Sequence, residues 1–170
     1  MRKYVEGYTD VWEQRKLNEI TNYSPSNLSA SSIDNTGLFD LYDANGIIGR
    51  TNATPQKEKY ITIIKDGSGV GRTRILPSKT CYIGTMGGIF AKNENDINFI
   101  YQTLNKFDFS THVIGATIPH IYFSDYGNEV VKSPAHDEQQ KIGVFFSNLD
   151  NLITLHQRKQ INFFKEKLKC

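Results

Sequence analysis

Pro134, followed by Asp137-Glu138-Gln139-Gln140-Lys141-Ile142 and then by a long apolar stripe free of proline, decides how this chain is organised. The stripe is Ile142, Phe145, Phe146, Leu149, Leu152, Ile153, His156, Phe163 and Phe164. Steps of three and four place these side chains on one face of a helix, and the seven-residue recurrence of Ile142, Leu149, His156 and Phe163 is the seam of a coiled coil. A helix from residue 137 to 169 runs roughly 50 Å at about 1.5 Å per residue. A terminal helix of that length cannot bury its own seam, so the pattern predicts a second helix of similar length as its partner. His156 sits on the stripe either as a polar residue that fixes register or as a partly exposed seam residue.

Upstream of the proline the periodicity changes repeatedly. Residues 60–65 (Tyr-Ile-Thr-Ile-Ile-Lys) are dense in β-branched and aromatic side chains and stop at Asp66-Gly67, which predicts a strand followed by a turn. Further strands are expected at 73–76 and 80–83, separated by Pro77-Ser78-Lys79. Over 95–107 the apolar residues Ile97, Ile100, Tyr101, Leu104 and Phe107 fall three or four apart, so a short core helix is expected, with Asn93 and Asn95 as candidate caps. Residues 111–123 return to β-like character around Pro119, and Val130-Val131 reads as a last short strand. Trp12, Leu17 and Ile20 fit either a short strand or a helical turn. Residues 21–37, rich in Ser, Asn and Thr with Pro25, read as a loop. The expectation is an α+β fold of mixed β-strands and a short helix in one domain over residues 1–133, followed by one long helix over 134–170.

Composition narrows the function classes. With 170 residues the chain can bury one core plus an appendage, not a second full domain. Its 20 basic and 18 acidic side chains are too balanced to argue for nucleic acid on net charge. Arg158, Lys159, Lys165, Lys167 and Lys169 make the helix end basic, which also suits the helix dipole. Cys81 and Cys170 have no paired or metal-ligand spacing, and His112, His120, His136 and His156 are scattered, so no metal is expected. Residues 1–10 hold no apolar run fit for a signal sequence and no span of about 18 apolar residues occurs. A cytoplasmic protein is expected. Asp137 and Glu138 fall in the first helical turn, where negative charge is favoured, so they are read as helix-start residues rather than an acid pair. No serine or cysteine has the surroundings of a nucleophile, and a catalytic reading finds no residue to rest on.

The most distinctive loop is Asp66-Gly67-Ser68-Gly69-Val70-Gly71-Arg72-Thr73-Arg74. Alternating glycines let a backbone approach a ligand closely, and exposed N–H groups beside Arg72 and Arg74 would suit phosphate oxygens. Neither the Gly-Lys-Ser/Thr ending of a P-loop nor the glycine spacing of a dinucleotide fold is present, which argues against a mononucleotide site. A tight turn between strands explains the same glycines, and a turn flanked by arginines can also lie against a DNA backbone.

Four stretches together resemble one family. Tyr8-Thr9-Asp10-Val11-Trp12-Glu13-Gln14-Arg15-Lys16-Leu17 resembles the opening of a target-recognition domain in the specificity subunit of type I restriction-modification systems. Gly67 to Gly71 with Gly84-Thr85-Met86 resembles that domain's glycine turn and following strand. Ile118-Pro119-His120-Ile121 resembles its exit. Pro134 with Glu138-Gln139-Gln140-Lys141-Ile142, continuing as Leu149-Asp150-Asn151-Leu152-Ile153-Thr154-Leu155-His156-Gln157-Arg158-Lys159, resembles the start and body of its long helix. The resemblance implies a non-catalytic subunit that binds double-stranded DNA and chooses the sequence. Modification (methyltransferase) subunits would then transfer a methyl group to adenine and a restriction motor subunit would cleave. It implies no cofactor on this chain; S-adenosylmethionine, ATP and magnesium belong to the partner subunits.

A complete family member has two recognition domains and two long helices, whereas this chain holds one of each. It therefore reads either as a native half subunit that forms a homodimer or as a piece that pairs with a second specificity half. Ile142, Phe145, Phe146, Leu149, Leu152, Ile153, His156 and Phe163 are the expected dimer interface, and the dimer's target would be an inverted repeat. Lys65, Ser68, Arg72, Thr73, Arg74 and Lys79 are the expected phosphate contacts, and Asn45, Arg50, Thr51 and Asn52 the expected base-reading loop, since Arg suits guanine and Asn suits adenine. Substituting alanine for Arg72 and Arg74 together is expected to weaken binding to all DNA and flatten its salt dependence. A free-standing DNA-binding regulator with a coiled-coil helix would use the same parts without a methyltransferase partner. An enzyme acting on nucleotides would use the glycine loop instead.

Overall fold

The computed structural model describes residues 12–167, with side chains through Ile161. Tyr8 to Val11 of the opening motif, Phe163 and Phe164 of the stripe, Lys165, Lys167, Lys169 and Cys170 lie outside the described side chains. Along the chain run β1 (Glu13–Lys16), α1 (Leu17–Ile20), β2 (Thr21–Pro25), β3 (Phe39–Tyr42), β4 (Ile47–Thr51), β5 (Tyr60–Ile64) and β6 (Thr73–Leu76). Then follow β7 (Thr80–Tyr82), β8 (Met86–Ala91), α2 (Ile97–Asn105), α3 (Phe123–Tyr126), β9 (Val130–Ser133) and α4 (His136–Lys167).

The strand expected at 60–65 is the centre of the body. Every residue of β5 is buried, so it reads as a continuous apolar run rather than an alternation. It lies inside an antiparallel sheet of order β2-β8-β5-β6. Successive side chains of a strand point to opposite faces. Ile61 and Ile63 accordingly join a core with Leu17, Ile20, Ile89, Phe99, Ile100 and Leu104, which is where α2 covers the sheet. Tyr60, on the other face, packs with Leu76, Tyr82 and Met86. There the second sheet, β4-β3-β7, closes over it, with β3 and β7 parallel and β3 and β4 forming an antiparallel hairpin. The α+β expectation holds, and so do the strands at 73–76 and 80–82 and the helix within 95–107.

Three readings of the sequence are corrected. Residues 21–37 are not all loop, because β2 pairs with β8 despite its polar composition. The reason lies across the ladder: Gly88 and Gly87 face Ser24 and Pro25, and a Cβ on Gly87 would collide with the Tyr23 ring, so a partner without side chains makes room for β2. Pro25 is tolerated because β2 is an edge strand. Residues 111–123 form no strand. They hold a 3₁₀ turn at Phe109–His112, a loop pinned by isolated bridges from His120 to Ile114 and Asp66, and the start of α3. The α2 cap is Asp96 rather than Asn93 or Asn95: its carboxylate accepts the Phe99 N–H at 2.8 Å. Asn95 instead donates to the Lys92 carbonyl at 2.6 Å.

α4 starts directly behind β9, and β9 pairs with β1 from Glu13↔Ser133 to Lys16↔Val130. Its base is built into the body. Gln139, buried, accepts the Asp96 N–H at 2.9 Å and donates to Ser133 Oγ and the Pro134 carbonyl, each at 3.0 Å, and to Asn95 Oδ1 at 3.1 Å. Gly143 lies so close to the α2 cap that a Cβ there would collide with the Asp96 carboxylate, and Ile142 packs on the core beside Phe99. A division at residue 133 thus falls within a packed junction, since the first turns of α4 are anchored in the body.

Candidate nucleic-acid interface

The glycine turn joins β5 to β6. Gly67, Gly69 and Gly71 have φ of 87°, 83° and 85°, the left-handed region that a side chain resists. The turn is closed mainly by its own backbone: Gly71 N–H donates to the Ile64 carbonyl at 2.8 Å, Arg72 N–H to Gly69 at 3.0 Å and Val70 N–H to Gly67 at 3.2 Å. Gly67 N–H donates to Pro119 at 2.8 Å, which ties the turn to the 114–120 loop. Most of the N–H groups expected to face a phosphate are therefore spent inside the protein. The amides of Ser68 and Gly69, both exposed, have no partner among the described residues.

The arginines that follow do something the sequence does not reveal. Arg72 Nη2 donates to the Ala44 carbonyl at 2.7 Å, and Arg74 Nη2 reaches the carbonyls of Ala44 at 3.4 Å and Asn45 at 3.3 Å. Both guanidinium groups thus grip the turn between β3 and β4, bringing residues 43–46 of one sheet against β6 of the other. Arg72 stays exposed, with further N–H groups turned to solvent, whereas Arg74 is half-buried.

The other expected contacts divide in the same way. Ser68 and Lys79 are exposed. Lys79 holds a positive φ of 61° in the β6–β7 turn. Lys65 pairs with Asp66 at 2.5 Å, and Thr73 donates its hydroxyl to Asn105 at 2.7 Å. Arg50, Thr51 and Asn52 do not form a loop, because Arg50 and Thr51 are the end of β4 and Asn52 follows directly. Arg50 donates to the Leu38 carbonyl at 2.9 Å and pairs with Asp40 at 3.6 Å. Asn52 donates to Asp34 at 2.7 Å. The Thr36 hydroxyl and N–H, and then Asn52, hold the Asp34 carboxyl below the usual carboxylate range. Thr51 is buried, so its hydroxyl cannot reach a base edge, and it leaves the expected reading set. Among the described residues no cluster of His, Cys, Asp or Glu is placed to hold a metal ion, and no helix is long and apolar enough to cross a membrane.

Comparison with known proteins now bears on this geometry. The model of the type I restriction modification DNA specificity domain family matches residues 9–163. The chain belongs to that family. This specificity domain is similar in fold to the S subunit of a type I restriction-modification system from M. genitalium, with 22% identity, a TM-score of 0.68, and coverage of 91% of this chain and 43% of that one. It is also similar to the HsdS subunit from Thermoanaerobacter tengcongensis, at 13% identity and a TM-score of 0.60, over 92% of this chain and 42% of that one. A chain from a structure of type I restriction-modification complex assembly and conformational transition matches at 13% identity and a TM-score of 0.68, over 94% of this chain and 44% of that one. The specificity domain spans less than half the length of each of these solved chains. No curated protein matches it.

On α4 the specificity domain presents most of the expected seam to solvent. Phe145, Leu149, Leu152 and Ile153 are exposed, as is His156, while Phe146 is half-buried and Ile142 belongs to the body. Val144, Leu155 and Ile161 are exposed as well and widen the apolar surface beyond the expected stripe. Trp12, which opens the described chain, donates its Nε1 to Glu138 at 3.2 Å, so Glu138 helps anchor the helix base. Gln139, which seats the helix, and the Ala44 turn, which accepts both arginines, are the positions that sequence reasoning missed. The only signal for Gln139 was its place in the Glu-Gln-Gln-Lys-Ile string, and nothing in the sequence marks the carbonyls of Ala44 and Asn45 as arginine partners.

Proposed function

We propose that this chain carries the part of a specificity subunit that reads one half of a split DNA target. Two copies pair through α4, so that the dimer carries two recognition bodies and reads an inverted repeat. The observation that carries this reading is the apolar surface of α4 from Phe145 onward, which has no cover among the described residues. Full burial of a leucine-sized side chain is worth about 1.5–3 kcal/mol, so each of those exposed on α4, already about half covered by its own helix, offers a partner helix about half of that. Ile142 is already seated on the body, so the paired seam begins at Phe145 and runs through Leu149, Leu152, Ile153 and His156 towards Phe163. A second specificity half carrying the same helix would fit the same seam.

The DNA backbone is held from the glycine-turn side, where Ser68 and Arg72 are exposed and Lys65 and Thr73 border them, whereas the exposed Lys79 lies at the other end of β6. The subunit is non-catalytic and cytoplasmic and binds no cofactor of its own. Its partners are double-stranded DNA, modification subunits that use S-adenosylmethionine and a restriction motor subunit that uses ATP and magnesium. Recognition by this chain thereby directs adenine methylation and cleavage carried out by others. Light scattering on the purified chain, alone and with the cognate modification subunit, tests the assembly. A dimer that recruits modification subunits is expected, and a stable monomer at micromolar concentration that recruits none overturns it.

A further inference from the structure

Of the residues expected to read bases, only Asn45 keeps its side chain free. Arg50 turns its Nε to Asp40 and one Nη2 N–H to the Leu38 carbonyl, which fixes its guanidinium against β3, Asn52 donates to Asp34, and Thr51 is buried. The Asn45 amide is exposed and has no hydrogen-bond partner among the described residues. Its backbone is the opposite case. Asp43 Oδ1 accepts the N–H groups of Asn45 at 2.7 Å and Gly46 at 2.9 Å, and Asp43 N–H donates to the Gly46 carbonyl at 2.8 Å. From outside the turn, Arg72 and Arg74 hold the Ala44 and Asn45 carbonyls. Two positions on, Ile47 on β4 is 57% exposed and stands beside the free amide.

A fixed backbone carrying a free amide is what base readout needs, because the ordering cost is met before the DNA arrives. We infer that the β3–β4 turn is the base-reading tip of the body: Asn45 pairs with adenine N6 and N7 in the major groove, Ile47 covers the methyl group of thymine in the same base pair, and Arg74 is a positioning residue that holds the tip. The pairing chemistry follows from the donor and acceptor pattern of an A·T pair, where a carboxamide meets adenine with two hydrogen bonds and an apolar side chain meets the thymine methyl. Arg74, half-buried with its Nη2 on two carbonyls, neutralises no phosphate, whereas exposed Arg72 both grips the turn and keeps donors for one. The inference rests on the proposed DNA-reading function and divides the two arginines that sequence reasoning treats as equivalent.

The test is selection from a randomised duplex library by the purified chain, followed by affinity measurements on the selected duplex across salt concentrations. The wild-type chain is expected to select a motif containing an A·T pair that Asn45→Ala relaxes by about tenfold to a hundredfold, the discrimination of one bidentate contact. Arg74→Gln is expected to relax the same position and leave the slope of log affinity against log salt unchanged, since no counterion release is lost. Arg72→Ala is expected to lower that slope by about one. Asn45 is an exposed side chain, so its variant folds as the parent does and reports on reading alone. Retention of the wild-type motif by Asn45→Ala overturns the reading tip. Uniform weakening on all sequences by Arg74→Gln, with a slope lower by about one, overturns the positioning role. A wild-type chain that selects no motif removes the DNA-reading function on which both depend.

Discussion

The base and the shaft of α4 are one continuous helix, yet they obey different physics. At the base, buried Gln139 bonds to the α2 cap and to the strand behind it, Gly143 admits close approach of α2, and Ile142 adds to the core. Along the shaft, Leu149, Leu152, Ile153, Leu155 and Ile161 are all about half exposed, at 42%, 55%, 48%, 53% and 53%. The difference shows that an apolar period states that a face needs cover without stating what covers it. The base is covered by this chain's own body and held by polar bonds, whereas the shaft has no cover among the described residues.

The comparison breaks first at Gln139. Gln139→Ala strands the Asp96 N–H and the Ser133 hydroxyl at the junction, and unsatisfied buried groups cost about 1–3 kcal/mol each, so denaturant unfolding should show a loss of about 3 kcal/mol. A small change there would mean that water already serves these groups. Gly143→Leu comes next. Its side chain must displace the Asp96 cap, and a loss of about 2 kcal/mol is expected from overpacking and the disturbed cap. The smallest effect on the body belongs to the shaft: Leu152→Asp, in dilution where the chain is monomeric, should change unfolding free energy by less than about 0.5 kcal/mol. Hydrogen exchange sharpens the contrast. Amides at 139–146 should be protected at any concentration, while those at 150–161 should gain protection only as the chain is concentrated, and not in Leu152→Asp.

Sequence alone located the elements whose apolar pattern is decided locally. The run at 60–65, the three-and-four spacing of Ile97, Ile100 and Leu104, and the long stripe behind Pro134 each name their own conformation, and β5, α2 and α4 follow. What it missed was decided by partners distant in the chain. Thr21-Asn22-Tyr23-Ser24-Pro25 carries turn composition and becomes a strand because Gly87 and Gly88 accept it. The β-like stretch at 111–123 is turned back by Gly115, at a φ of 91°, so that Ile114 bridges His120 within the same loop. The candidate interface shows the same limit. Glycines and arginines mark the β5–β6 turn from sequence, but which donors they spend inside the protein depends on a hairpin of the other sheet, closed by residues nearly thirty positions upstream.

The β1–β9 ribbon carries a last consequence. Because Glu13 pairs with Ser133 and Lys16 with Val130, the two ends of the recognition body lie side by side at the foot of the helix. Everything between them is, topologically, a single insertion hung from a two-stranded clasp, with both attachment points at one place. Exchanging that insertion for another would keep the clasp, and would keep the helix seated only where the new body supplies groups equivalent to Asn95 and the Asp96 cap, which hold Gln139 and Gly143. The two attachment points thus free the length and loop content of the body, while the junction with the helix constrains its residues around positions 95 to 99.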